Sequence, residues 1–173
     1  MRDNNRVYML LLKALSFTTL AILFALIFIG GYVSASGVGL TCPDWPLCPQ
    51  GLLPHEDFVI EYIHRSVAAT TGMLVIGTMA FTLKSKNAPR GMKIASVIAA
   101  GAVIGQITLG AIVIVERLHA VLVTAHLGLG LVLFSMVLIT VLSAFRIDNK
   151  RIKTPEASSN LSPRSNKTTT TNN

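Results

Sequence analysis

Four long, mostly apolar runs limit what this chain can fold into: roughly Ala14–Val33, Val67–Leu83, Ile94–Val115 and Ala120–Phe145. A helix needs about 20 such residues to cross the hydrocarbon of a bilayer, and each run is near that length. Charged residues make up only 13% of the chain, about half the share of a soluble domain. The expected fold is an all-α membrane protein.

The formal charge of +7 points to nucleic acid only until the charges are placed on the chain. Arg2, Arg6 and Lys13 precede the first run, Lys84, Lys86, Arg90 and Lys93 separate the second from the third, and six more cations follow the fourth. The remaining two connections carry only Arg65 and Arg117. Loops rich in Lys and Arg stay on the cytoplasmic side. Both termini are therefore expected inside, with residues 34–59 and the short turn near Glu116 outside, and no nucleic-acid partner is expected. The turn "ERLH" is so short that the third and fourth helices must be antiparallel neighbours. The architecture is an up-down-up-down four-helix transmembrane bundle with one large extracytoplasmic loop. Residues 1–13 form a cytoplasmic N-terminus, 14–148 the bundle, and 149–173 a Ser/Thr/Asn-rich cytoplasmic tail that cannot bury enough surface to order. The small residues of "YVSASG" resemble a cleavage site, but the first apolar core exceeds the ~7–15 residues of a signal peptide, so an uncleaved helix is expected. Gly101 and Gly105 form a G-x-x-x-G, read as packing within the bundle.

The outside loop "GVGLTCPDWPLCPQG" holds the only two cysteines, Cys42 and Cys48. On an oxidising face they are candidates for a disulfide. Spacing alone leaves open a structural staple or a redox-active pair, with the staple ahead because this is not the C-x-x-C of thioredoxin-type chemistry. With His55 as the one further ligand nearby, zinc would lack a full set.

His64 and His126 lie in the second and fourth runs, which cross the membrane in the same direction. Both fall in the outer half, within a turn of each other in depth. Ala68 and Gly72 follow His64 at one-turn steps, and Gly130 follows His126, so small side chains are expected beside each imidazole. An ionisable group in a membrane helix is a functional-site hypothesis by default. For a lone histidine, a hydrogen bond to a backbone carbonyl or to Gln106 would be the better reading. Two at matched depth favour haem ligation in the bundle core. His119, seven residues before His126 and on nearly the same face, is a mouth residue or an alternative ligand.

Glu61 opens the second run one turn before His64. It forms a favourable helical pair with Arg65 and suits a helix N-terminus; equally, it is a carboxylate placed to relay a proton beside a bound cofactor. The residues alone leave that choice open. Arg65 and Arg117, at the rim, are candidates to pair with haem propionates.

Taken together, "GGYVSASGVGLTCPDWPLCPQG", "EYIHRSVAATTG" and "LHAVLVTAHLGLGL" resemble the haem A synthase (cytochrome oxidase assembly) family over roughly residues 26–140. The resemblance implies an integral membrane oxidoreductase that converts the C8 methyl of haem O to the formyl of haem A by successive hydroxylation. It implies His64 and His126 as haem-iron ligands, Glu61 as the catalytic carboxylate, and Cys42 and Cys48 as the outside pair that passes reducing equivalents. His119 matches a histidine that many members carry in the same turn. Most members have eight spans in two similar halves, the second with a haem B site; this chain, with four, is similar to the half-size form known among archaea. Haem O is then the substrate, and haem B either a resident group or absent. The expected partners are membrane lipid, a second copy of the chain, haem O synthase, a terminal oxidase, and a thiol or quinone electron carrier. Two other functions compete: a b-type cytochrome that binds haem without modifying it, and a thiol–disulfide oxidoreductase working with quinone. The last requires a second cysteine pair or a C-x-x-C, which the sequence lacks.

Overall fold

The structure, a computed structural model, describes residues 2–41 and 59–159, with side chains over 6–41 and 59–147. Cys42, Cys48, His55 and most of the α1–α2 connection lie outside the described residues. Among the described residues the helices are α1 (Arg2–Ser36), α2 (Val59–Lys84), α3 (Arg90–Val115) and α4 (Ala120–Ser159), with a 3₁₀ turn at Val38–Leu40. Neighbouring helices pack in a ring, α1 on α2, α2 on α3, α3 on α4 and α4 on α1. That arrangement leaves α2 and α4 on one diagonal and α1 and α3 on the other. It is the expected all-α, four-helix membrane bundle.

Each helix holds a stretch long and apolar enough to cross a bilayer: Arg6–Ser36, Val59–Lys84, Arg90–Val115 and Ala120–Ile147. Their outward faces are apolar, with Phe28 68%, Met73 69% and Val115 76% exposed. So much exposed apolar surface suits lipid and would aggregate in water. Inside, small residues and hydroxyls allow close approach, which is how helices associate in lipid without a hydrophobic driving force. Thr19 and Thr78 share a hydrogen bond of 3.1 Å between α1 and α2. Ala95, Ala99 and Ala102 line the buried face of α3.

Two apolar clusters hold the bundle. One, at the end where α2 gives way to α3, joins Met9, Leu12, Ala88, Met92 and Ala144. The other, at mid-height, joins Leu23, Val75, Ala99, Val103, Leu133 and Val137. Both lie away from the end where α2 and α4 begin.

Three details differ from the sequence expectations. First, α1 starts well before Ala14, because Met9 and Leu12 are buried one turn apart and extend the packed face. Second, the α4 backbone stays helical to Ser159, beyond the end of its apolar stretch at Ile147. Third, the G-x-x-x-G pair splits: Gly105 meets Leu129, while nothing lies within 4 Å of a Cβ placed on Gly101. The alanine face, one position away on the helix, does the packing.

The turn between α3 and α4 is left-handed at two side-chain-bearing residues, Arg117 (φ 50°) and Leu118 (φ 62°). The Leu118 N–H donates to Val113 O at 2.8 Å, the bond that closes a Schellman-type helix end. This conformation turns the Leu118 side chain onto Gly39, where an added Cβ would be 3.3 Å from its Cδ2. The α3–α4 turn thereby braces the segment leaving α1.

Candidate functional site

At the end where α2 and α4 begin, one layer of the bundle has an unusual composition. His64 is the sixth residue of α2 and His126 the seventh of α4. Gly30 is the seventh residue from the C-terminal end of α1 and Gly110 the sixth from that of α3. At 1.5 Å per residue, all four lie about 8–9 Å below the helix ends. The matched depth expected of the histidines is therefore present, and two glycines share it.

The imidazoles rest on those glycines. A Cβ on Gly30 would lie 3.0 Å from His64 Cε1, 3.6 Å from Nδ1 and 3.8 Å from Nε2. A Cβ on Gly110 would lie 3.3 Å from His126 Cε1 and 3.9 Å from Nδ1. The clearance thus comes from the facing helices α1 and α3, whereas the sequence placed it at Ala68, Gly72 and Gly130. The reason is directional: helical side chains lean toward the N-terminus of their own helix, away from the residue at i+4. Gly72 packs against Ile107 and Val103, and Gly130 against the Gln106 amide.

Nδ1 of His64 and Nδ1 of His126 are both buried with no hydrogen-bond partner. Gln106 does not bond to an imidazole; its Nε2 donates to the backbone oxygen of His126 at 2.8 Å. A Cβ on Gly130 would sit 2.9 Å from that same Nε2. Gly130→Ala should therefore break the link between α3 and α4. A hydrogen bond between membrane helices contributes about 0.6–2 kcal/mol, so the melting temperature in detergent should fall by the equivalent of roughly 1–2 kcal/mol.

Above the histidines, Glu61 is 2% exposed. Its Oε1 accepts from Arg65 Nη2 at 2.5 Å, and its Oε2 accepts from Thr41 Oγ1 at 3.2 Å. The expected helical pair exists, and it is buried: the side chains of Arg65 and Glu61 are 14% and 2% exposed. Arg65 faces its own helix's carboxylate, and Thr41, just past the 3₁₀ turn, ties the start of the outside loop to α2. Arg117 is exposed in the α3–α4 turn.

His119 precedes α4 by one residue and is exposed. Its carbonyl accepts from the N–H groups of Leu122 (2.9 Å) and Val123 (3.1 Å). It caps the helix instead of sharing a helical face with His126, because α4 starts only at Ala120.

The site brings together Glu61, His64, Arg65 and His126, with His119 at the edge and both cysteines outside the described residues. Sequence reasoning missed Gly30, Gly110 and Thr41. The doublet Gly30-Gly31 inside an apolar helix was a signal; Gly110, amid β-branched residues, was a second. Among the described residues no three His, Cys, Asp or Glu side chains converge to hold a bare metal ion. Two imidazoles suit an iron that arrives with its own equatorial donors.

Comparison with known proteins gives the family. Residues 54–169 match the cytochrome oxidase assembly protein family. A heme A synthase of Bacillus licheniformis is 35% identical over 137 residues, covering 78% of this chain and 45% of that protein. One of Shewanella oneidensis is 30% identical over 166 residues, covering 84% and 48%. One of Staphylococcus aureus is 31% identical over 120 residues, covering 68% and 39%. The chain spans a little under half the length of these curated relatives. The family match runs through α2, α3 and α4 and so takes in Glu61, His64 and His126; this multi-pass membrane protein belongs to the cytochrome oxidase assembly protein family.

Proposed function

We propose that the chain is a membrane oxidoreductase of the kind its relatives are named for, converting the C8 methyl of haem O to a formyl group during terminal oxidase assembly. The observation that carries this reading is the layer of two half-buried imidazoles at one depth. Each has a buried Nδ1 that no group among the described residues satisfies and a glycine at its ring edge. A buried polar nitrogen without a partner is costly, and these two fit a haem iron held between α2 and α4. Bound haem supplies the redox chemistry of its iron and, as haem O, the methyl to be oxidised.

The remaining roles fall to the chain's own residues. His64 and His126 hold the iron. Glu61 is the proton acceptor, with Arg65 fixing Oε1 and the Thr41 hydroxyl orienting Oε2, the oxygen at which a proton is taken up. His119, exposed at the mouth of the layer, is a secondary contact for the ring's periphery. Cys42 and Cys48 form the outside pair that passes electrons on to a thiol or quinone carrier. Both termini are cytoplasmic, residues 14–148 make the haem-binding bundle, 149–173 form a cytoplasmic tail, and the bundle associates with a second copy. Haem O synthase would deliver substrate, and a terminal oxidase would receive product.

The buried Glu61–Arg65 pair favours one other reading, a b-type cytochrome in which Glu61 is purely structural. Expression of the full chain with a haem O source, followed by pigment extraction, separates the two. The wild type should yield haem A, and Glu61→Gln should lower that yield by about 100-fold or more, the usual effect of losing a general base. Unmodified haem from both would leave the cytochrome.

A further inference from the structure

The glycines beneath the imidazoles recur once per helical hairpin. In α1–α2 the glycine belongs to the first helix and the histidine to the second, and α3–α4 repeats the order at the same depth. At Gly30 the three nearest atoms are all imidazole atoms of His64; at Gly110 the imidazole of His126 is all that lies within 4 Å. These glycines accommodate rings, not a neighbouring backbone.

We propose that Gly30 and Gly110 are positioning residues, a matched pair of seats that set the direction in which His64 and His126 present their nitrogens to an iron. The inference rests on the haem reading above and adds to it what orients the ligands. The contact is at Cε1, the carbon between the two ring nitrogens, so any push there moves both nitrogens whichever of them binds the metal. Distances of 3.0 and 3.3 Å from Cβ to Cε1 are tighter than nearly all such contacts, so an added methyl makes the ring give by a few tenths of an ångström and turn from its position.

Alanine tests this without threatening the fold, since it favours a helix more than glycine does. Nearby glycines serve as controls, because a Cβ on Gly31 of α1 or Gly128 of α4 meets nothing within 4 Å. The full chain in detergent is titrated with ferric haem B, followed by its Soret band and by the electron paramagnetic resonance of the low-spin haem. Turning a side chain about 30° off its rotamer weakens binding by up to about tenfold. Gly30→Ala and Gly110→Ala should each show a loss approaching that size, with shifted low-spin resonances, while Gly31→Ala and Gly128→Ala match the wild type. Wild-type affinity and resonances in Gly30→Ala and Gly110→Ala would overturn the proposal. So would loss of helicity in either variant, which would make that glycine a packing residue. A wild type that takes up no haem is a different failure and removes the ligand reading itself.

Discussion

Replacing either His64 or His126 by alanine should abolish the haem Soret band of the purified protein while leaving its helical circular dichroism intact. The fold does not depend on the rings. The apolar clusters lie at mid-height and at the opposite end of the bundle, and neither Nδ1 takes part in a hydrogen bond whose loss would expose a partner. The ligand site depends on them entirely. Removing an outer-shell partner of a metal ligand typically costs 10–100-fold in affinity, so losing the ligand itself should cost about 100-fold or more. The two variants should behave alike, because the rings occupy equivalent places in the two hairpins. His119→Ala makes the contrast: an exposed residue whose backbone carbonyl caps α4 should keep the band. A full band in His64→Ala or His126→Ala would remove the assignment.

The bundle was legible in the sequence because lipid imposes one requirement, length of apolar run, and charge placement then orders the connections. The depth of the histidines was equally legible, since rise per residue converts position into height. What could not be read was which helix each ring faces. His64 leans toward Gly30, 34 positions earlier in the chain, and no periodicity within α2 contains that fact. The same holds for Thr41, which meets Glu61 from 20 positions earlier in the chain. Helix ends were misplaced for a simpler reason. Hydropathy marks where a chain stops being apolar, whereas α1 and α4 continue as helices into polar sequence. The Glu61–Arg65 pair was visible as a spacing, but its burial depends on the segment folded above it.

That burial makes Arg65→Leu a strongly destabilising change. Glu61 is 2% exposed, and the guanidinium is its opposite charge. Breaking a buried pair by removing one member typically costs about 3–5 kcal/mol, because the remaining charge keeps its desolvation penalty and loses the guanidinium's compensation. The double variant Glu61→Gln with Arg65→Leu should recover most of that loss, since neither charge then remains to be desolvated. Thermal or denaturant unfolding in detergent across the four combinations gives the coupling directly, and additive effects would mean that the pair contributes no such stability. The double variant also separates the two roles of Glu61. If the carboxylate only supports the loop, restored stability should restore haem A production. If it takes the proton, the protein should recover most of its stability, carry its full haem Soret band, and still release unmodified haem O.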